Sequence, residues 1–157
     1  VRWWGRQRVT SDATRVSILR IPGIYAFDRD GGDPRDRLRR AAPVLLAAED
    51  VYTNHIHAND LARACVAALW RGKPQRVTHV NDDAEMLMGD YFDLVADLAG
   101  LPRPPRLSRA EATATLSPMQ RSFMSESRRL INHRLKHELR LRLTVADVRL
   151  AFQSDLG

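Results

Sequence analysis

The chain is 157 residues long, with 44% hydrophobic residues and a formal net charge of +6. That length makes one ordinary domain with a core of its own. No run of about 18 apolar residues occurs, which excludes a membrane-spanning helix. A single cysteine, Cys65, excludes a disulfide framework and a cysteine-rich metal site.

The opening Val-Arg-Trp-Trp-Gly-Arg does not read as a signal peptide, and a lone thiol suits a reducing compartment, so a cytoplasmic location is expected. The positive charge rests on arginines scattered among acids and apolar residues; Lys73 and Lys136 are the two lysines. Such a spread reads as solvated basic surface, with an affinity for phosphate-bearing ligands left open.

In chain order, Val1 to Ser11 reads as the end of a helix anchored by Trp3, Trp4 and Val9. So short a helix cannot cover two indoles, and the chain opens without Met. The expectation is a piece of something longer. Val16 to Ile21 is an apolar run of strand length, stopped by Pro22-Gly23. Proline removes a ladder donor, and glycine lets the backbone turn or approach something closely. Pro22 to Tyr25 is therefore the rim of a ligand cleft at the carboxyl edge of an open α/β sheet, or, with equal weight, an ordinary turn after a strand.

The run 28–34 is a loop, Arg35 to Ala42 a short helix, and Asp50 to His57 a short strand. Asn59 is placed to cap a helix whose first turn carries Asp60, and Leu61, Ala64, Cys65, Ala68 and Leu69 share one apolar face, making Cys65 a core thiol. Arg71 and Gly72 end that helix. Arg76 to Val80 is a second strand, expected to lie parallel to Val16–Ile21 through a right-handed crossover. Asp90 to Ala99 is another helix, with Tyr91, Phe92, Val95, Leu98 and Ala99 on one side and Gly100 at its end.

The proline-rich stretch 101–105 is a stiff connector. Ser108-x-x-Glu111 and Ser117-Pro118-x-Gln120 are two capping boxes, hence two short helices. Arg128 to Ile131 reads as extended. Asn132 is placed to cap a basic helix from His133 to about Leu139, and Thr144 to Asp147 opens the last helix.

No complete catalytic set stands out. His55 and His57, at i and i+2 on a strand, share a face, but no carboxylate or thiol at suitable spacing completes a metal site. The loop Asp82-Asp83-x-Glu85 reads as solvated. Arg128, Arg129, Arg134, Lys136, Arg140 and Arg142 form a basic cluster without interleaved aromatic residues for base stacking. It reads as a solvated face.

Three stretches in order nevertheless resemble a known family. They are Leu19-Arg20-Ile21-Pro22-Gly23-Ile24-Tyr25, then Asn54-His55-Ile56-His57-Ala58-Asn59-Asp60-Leu61-Ala62, then Val77-Thr78-His79-Val80-Asn81-Asp82. They look like the second half of an extended short-chain dehydrogenase/reductase. The tail, with Ser117-Pro118-Met119-Gln120-Arg121-Ser122-Phe123, Glu126-Ser127-Arg128-Arg129 and Leu135-Lys136-His137-Glu138-Leu139, is similar to bacterial NAD-dependent epimerase/dehydratase-like proteins, often described as sugar-nucleotide epimerase-related. The family's Gly-x-x-Gly-x-x-Gly loop and Tyr-x-x-x-Lys are absent from the chain.

The resemblance implies an α/β fold: the carboxyl-terminal part of a Rossmann-like parallel sheet plus a mostly helical substrate-binding portion. Residues 1–27 would end the Rossmann-like domain, and 28–157 would form the substrate-binding portion, with 60–82 returning a helix and strand to the sheet. It implies NAD or NADP as cofactor of the full-length protein, with none held tightly by this chain. Pro22, Gly23 and Ile24 would lie against the nicotinamide side; Tyr25, Asn54 and His55 would reach the substrate; Arg121 would anchor a substrate phosphate or carboxylate. No catalytic or metal-ligating residue is assigned. The expected partner is a small-molecule substrate, not nucleic acid or membrane, with a homodimer possible for the full-length protein.

Three classes stay open: the oxidoreductase or epimerase half, a non-catalytic binding relative of the same fold, and a basic nucleic-acid module. The chain alone is expected to be poorly stable or to associate through an exposed sheet edge.

Overall fold

The computed structural model describes residues 16–155, so the reading of Val1 to Ser11 lies outside the described residues. The first strand, β1 (Ile18–Arg20), pairs in parallel with β6 (Val77–His79), Ile18 facing Val77 and Arg20 facing His79. The expected side-by-side parallel arrangement is therefore present. Pro22 does not end the strand region. It interrupts it, and the chain resumes as β2 (Gly23–Tyr25), parallel to β5 (His55–His57). With no amide hydrogen at Pro22 the ladder to β6 cannot continue, and the chain moves to a new neighbour.

Asp50 to His57 is likewise two strands. β4 (Tyr52–Thr53) pairs antiparallel with β7 (Met86–Leu87), while β5 joins β2. A fourth pair, parallel, joins β3 (Val44–Leu45) to β8 (Arg106–Leu107).

The helices are α1 (Pro34–Arg39), α2 (Ala58–Arg71), α3 (Met88–Ala99), α4 (Arg109–Thr115), α5 (Pro118–Ser125), α6 (His133–His137) and α7 (Val148–Asp155), with a 3₁₀ turn at Ala47–Glu49. Both capping boxes form in full, Ser108 with Glu111 and Ser117 with Gln120. Gly100 ends α3 in the left-handed region at φ 62°, a conformation that favours glycine.

One expected cap is displaced, and another stands at its helix end without a side-chain capping bond. Asn59 lies inside α2, and His57 accepts its amide hydrogen on Nδ1 instead. Asn132 gives α6 no side-chain cap; its amide spans outward to Asn81 O, Asp82 O and Asp83 Oδ1. The Asn132 side chain serves a tertiary contact that sequence spacing does not reveal.

Two apolar clusters hold the described residues together. The larger joins Leu38, Val44, Leu45, Tyr91, Phe92 and Val95 with Met124, Val148 and Phe152. The smaller packs Ile56 and Val80 against Ala64, Leu135, Leu139 and Leu141. The apolar face read for α2 is only half realised. Ala64 is fully buried, but Cys65 is exposed and so is Leu69. The thiol is therefore not a core residue. The stretch 140–143 covers one side of the helix and leaves the other open.

Asp60, read as a helix-end acid, also ties the tail to the first turn of α2. It is fully buried and accepts from Thr144 N, Thr144 Oγ1 and Val145 N, and it pairs with Arg63 at 2.6 Å. Burial works against its charge, yet these four donors outweigh it and hold the carboxyl below its ordinary range.

Candidate functional site

The parallel pairs bring three chain segments to one edge. Val80 N bonds Arg20 O at the carboxyl end of β1 and β6, Gly23 N bonds Asn54 O, and Asp82 N bonds His55 O at 2.8 Å. Pro22–Gly23, Asn54–His55 and Asn81–Asp82 thus meet where β1 passes into β2. Beside them lies a cleft of about 200 Å³ lined by Tyr52 to Asn54, Asn81 to Glu85 and Arg129 to Asn132.

Gly23 is exposed, and a Cβ there would stand 2.9 Å from Cδ2 of His55. That imidazole is not able to yield easily, because it stacks on the buried Tyr91 ring at 3.9 Å between centroids. Tyr25 is buried and meets His57 and His55 edge-on, at 5.3 and 6.3 Å. Burial holds the His55 ring neutral and lowers its pKa to about 4. Both tyrosine hydroxyls are buried without a hydrogen-bond partner, and burial, with the Asp82 charge next, drives both far above their ordinary range.

Asn54 is fully engaged. Its amide donates to Arg128 O at 2.7 Å, and its carbonyl accepts from Leu130 N at 2.9 Å. It therefore holds the extended run 128–131, which forms one wall of the cleft. Ser127 Oγ accepts from Tyr52 N, and Arg129 stands over the Tyr52 ring while pairing with Glu85. Arg121 is placed on α5, where its guanidinium makes a long 3.4 Å bond to Thr113 O and its buried Nε makes none. The structure shows no contact from Arg121 to Tyr25, Asn54 or His55.

The reading of the 82–85 loop as solvated holds for Asp83 and Glu85, which are exposed, but needs correction at Asp82. Asp82 is 2% exposed, with one oxygen accepting from Ala84 N and the other unpartnered. Among the described residues no cation pairs with it. Burial raises its pKa to about 8; the Ala84 amide opposes this, and Asp83, Asp147 and Asp60 add to it. Asn81 is also buried, with both amide hydrogens spent on Asp82 O and Leu130 O and its carbonyl oxygen unpartnered.

Asn81, Asp82, Tyr91 and Asn132 are the site residues that sequence reasoning missed. The available signal was an Asn-Asp-Asp run directly after a sheet strand, which puts short polar side chains at the sheet's carboxyl edge. Among the described residues no group of three or more histidines, cysteines or carboxylates is arranged to hold a metal ion, and no helix is long and apolar enough to cross a membrane.

Comparison with known structures places this architecture. A functionally unknown conserved protein from Silicibacter pomeroyi is 32% identical, covers 87% of this chain and 46% of its own, and has a TM-score of 0.71. The human epimerase family protein SDR39U1, solved with NADPH, is 16% identical over 94% of this chain and 50% of its own, at a TM-score of 0.74. PA4631, a nucleoside-diphosphate-sugar epimerase from Pseudomonas aeruginosa, is 20% identical over 89% of this chain and 48% of its own, at 0.68. No family model and no curated protein matches the chain.

The chain spans about half the length of the structures it matches. It has the Rossmann-like α/β fold of the epimerase structures, and the resemblance carried by its motifs holds in three dimensions.

Proposed function

We propose that this chain forms the substrate-binding part of an NAD(P)-dependent epimerase, dehydratase or reductase acting on a sugar-nucleotide-like substrate or another hydroxyl or carbonyl compound. The observation that carries this reading is the junction of Gly23, His55 and Asp82 at one sheet edge, beside a cleft whose wall is built by Asn54. Open α/β sheets bind ligands at that edge.

The cofactor supplies hydride transfer when bound. The residues for holding it are only partly here. Pro22, Gly23 and Ile24 offer exposed or half-exposed backbone without a Cβ at Gly23, which suits close approach of a flat ring. The Gly-rich loop and Tyr-x-x-x-Lys are not in the chain, so this part alone neither holds NAD or NADP firmly nor turns substrate over.

Its own residues position and exclude water. His55 presents a neutral ring fixed by Tyr91. Tyr25 and Asp82 hold polar atoms that bound substrate can engage directly or through a water. Asn54 acts by setting the 128–131 wall. Arg121, with an uncommitted Nε, anchors an anionic substrate group once α5 approaches it, since a guanidinium grips carboxylate or phosphate with two donors.

The test has two arms. A reading frame upstream of Val1 that encodes the Gly-rich loop and Tyr-x-x-x-Lys supports the reading; an intact frame without that Tyr and Lys shifts it to a non-catalytic binding relative. In the second arm, UDP-glucose is titrated into the chain and followed by amide chemical shifts. Changes centred on Gly23, Asn54, His55 and Asp82 are expected. Binding confined to the arginines distant from the cleft would overturn the assignment.

A further inference from the structure

Away from the cleft, one side of α2 is bare. Val66 is 57% and Trp70 82% exposed, both large apolar side chains on a helix otherwise packed against β5 and β2. They line a groove of about 610 Å³ whose opposite wall is Arg140, Leu141 and Arg142. The groove follows α2 from Ala62 to Arg71, a length of about 14 Å at 1.5 Å per residue. No acidic residue lines it, and four arginines do.

Two of the four are already committed. Arg63 pairs with Asp60, and Arg71 donates to Leu139 O. Arg140 and Arg142 have no hydrogen bond or ion pair among the described residues, unlike the rest of the basic run. Arg128 pairs with Glu126, Arg129 with Glu85, Arg134 bonds Val77 O, and Lys136 pairs with Asp83. The cations left over are those that rim the apolar groove. Arg140 also sits at φ 52°, a left-handed conformation that a non-glycine residue adopts only where its surroundings impose it.

We propose that this groove is a docking surface for an acidic amphipathic helix of a partner protein. The apolar stripe of such a helix would cover Val66 and Trp70, and its flanking carboxylates would meet Arg140 and Arg142. The length of the groove suits two to three turns of helix laid alongside α2, a helix-in-groove mode. Tryptophan and arginine are also the side chains that most often carry binding energy at protein interfaces. Residues 1–15 do not fit this occupant, since they hold four arginines against one aspartate.

The experiment uses fluorescein-labelled synthetic helices and the full chain, read by anisotropy. The first helix has sixteen residues with Leu at i, i+3, i+4 and i+7 and Glu on its flanks. The second replaces Glu by Lys, and the third replaces Leu by Ser. The first should bind at least tenfold tighter than either control. The double variant Arg140→Glu/Arg142→Glu should weaken it tenfold or more, and so should Trp70→Ala, while the melting temperatures stay unchanged because all three side chains are exposed. Equal binding of the Lys helix, or no effect of the charge reversal, would overturn the proposal. So would a dimer in sedimentation that the charge reversal abolishes, because the face would then belong to a second copy. None of these outcomes depends on the cleft or its substrate.

Discussion

Asp82, buried at the cleft, and His55, half-buried beside it, are both driven towards neutrality by desolvation. Their effects on stability run in opposite directions with pH. Asp82 has a folded-state pKa of about 8, above its unfolded value, so its contribution is greatest at low pH and is lost as pH rises towards 8. His55 has a folded-state pKa of about 4, below its unfolded value, so its contribution is complete above about pH 6.5 and is lost as pH falls towards 4. Between pH 4 and 6.5 the two slopes cancel. Above 6.5 only the Asp82 slope remains, up to about 1.4 kcal/mol per pH unit. The melting temperature should therefore be level from pH 4 to 6.5 and fall by pH 8, and Asp82→Asn should raise it by several degrees more at pH 8 than at pH 5. A wild-type profile still rising at pH 8 would contradict this account. At this scale the sequence marked His55 and the Asn-Asp-Asp run, but burial, the property that makes Asp82 unusual, depends on the 128–132 segment folding over it.

Among the elements, the two capping boxes were legible residue by residue because all their partners lie within four positions. Ser108→Ala and Ser117→Ala should each cost about 1 kcal/mol, measured by urea denaturation. Asp60 behaves differently, since its three tail donors lie more than 80 residues away. Asp60→Asn leaves amide hydrogens facing the Thr144 and Val145 amides and removes a buried charge from its partners. A loss of about 3 kcal/mol is expected, with hydrogen exchange at Thr144 and Val145 rising before that at the α3 amides; exchange that rises uniformly would argue against a local anchor. Gly89 shows the same dependence on distant partners. A Cβ there would collide with the Arg106 guanidinium, standing 2.6 Å from Cζ, and would lie 2.7 Å from Asp50 Oδ2. Gly89→Ala should displace Arg106 from Asp93 and Asp50 and destabilise by about 1–3 kcal/mol, read as a lower urea midpoint at unchanged slope.

For the whole molecule, each described strand pairs with one neighbour, so strand edges lie open and invite association. Sedimentation velocity should show concentration-dependent self-association that Arg140→Glu/Arg142→Glu leaves intact, since strand edges and not the α2 groove would carry it. A concentration-independent monomer would refute that. The sequence alone determined the order of the described helices, the two boxed caps, the glycine end of α3 and the parallel mating of Ile18–Arg20 with Val77–His79, because periodicity, turn chemistry and crossover handedness act over short stretches of chain. Only the tertiary structure decided that Pro22 hands the chain from β6 to β5, that Cys65 and Trp70 face outward, and that Asp82 is buried beside two unpartnered tyrosine hydroxyls. Those outcomes depend on which distant segment arrives to cover a given side chain, and exclusion of water is a property of the assembled surface, which local spacing does not encode.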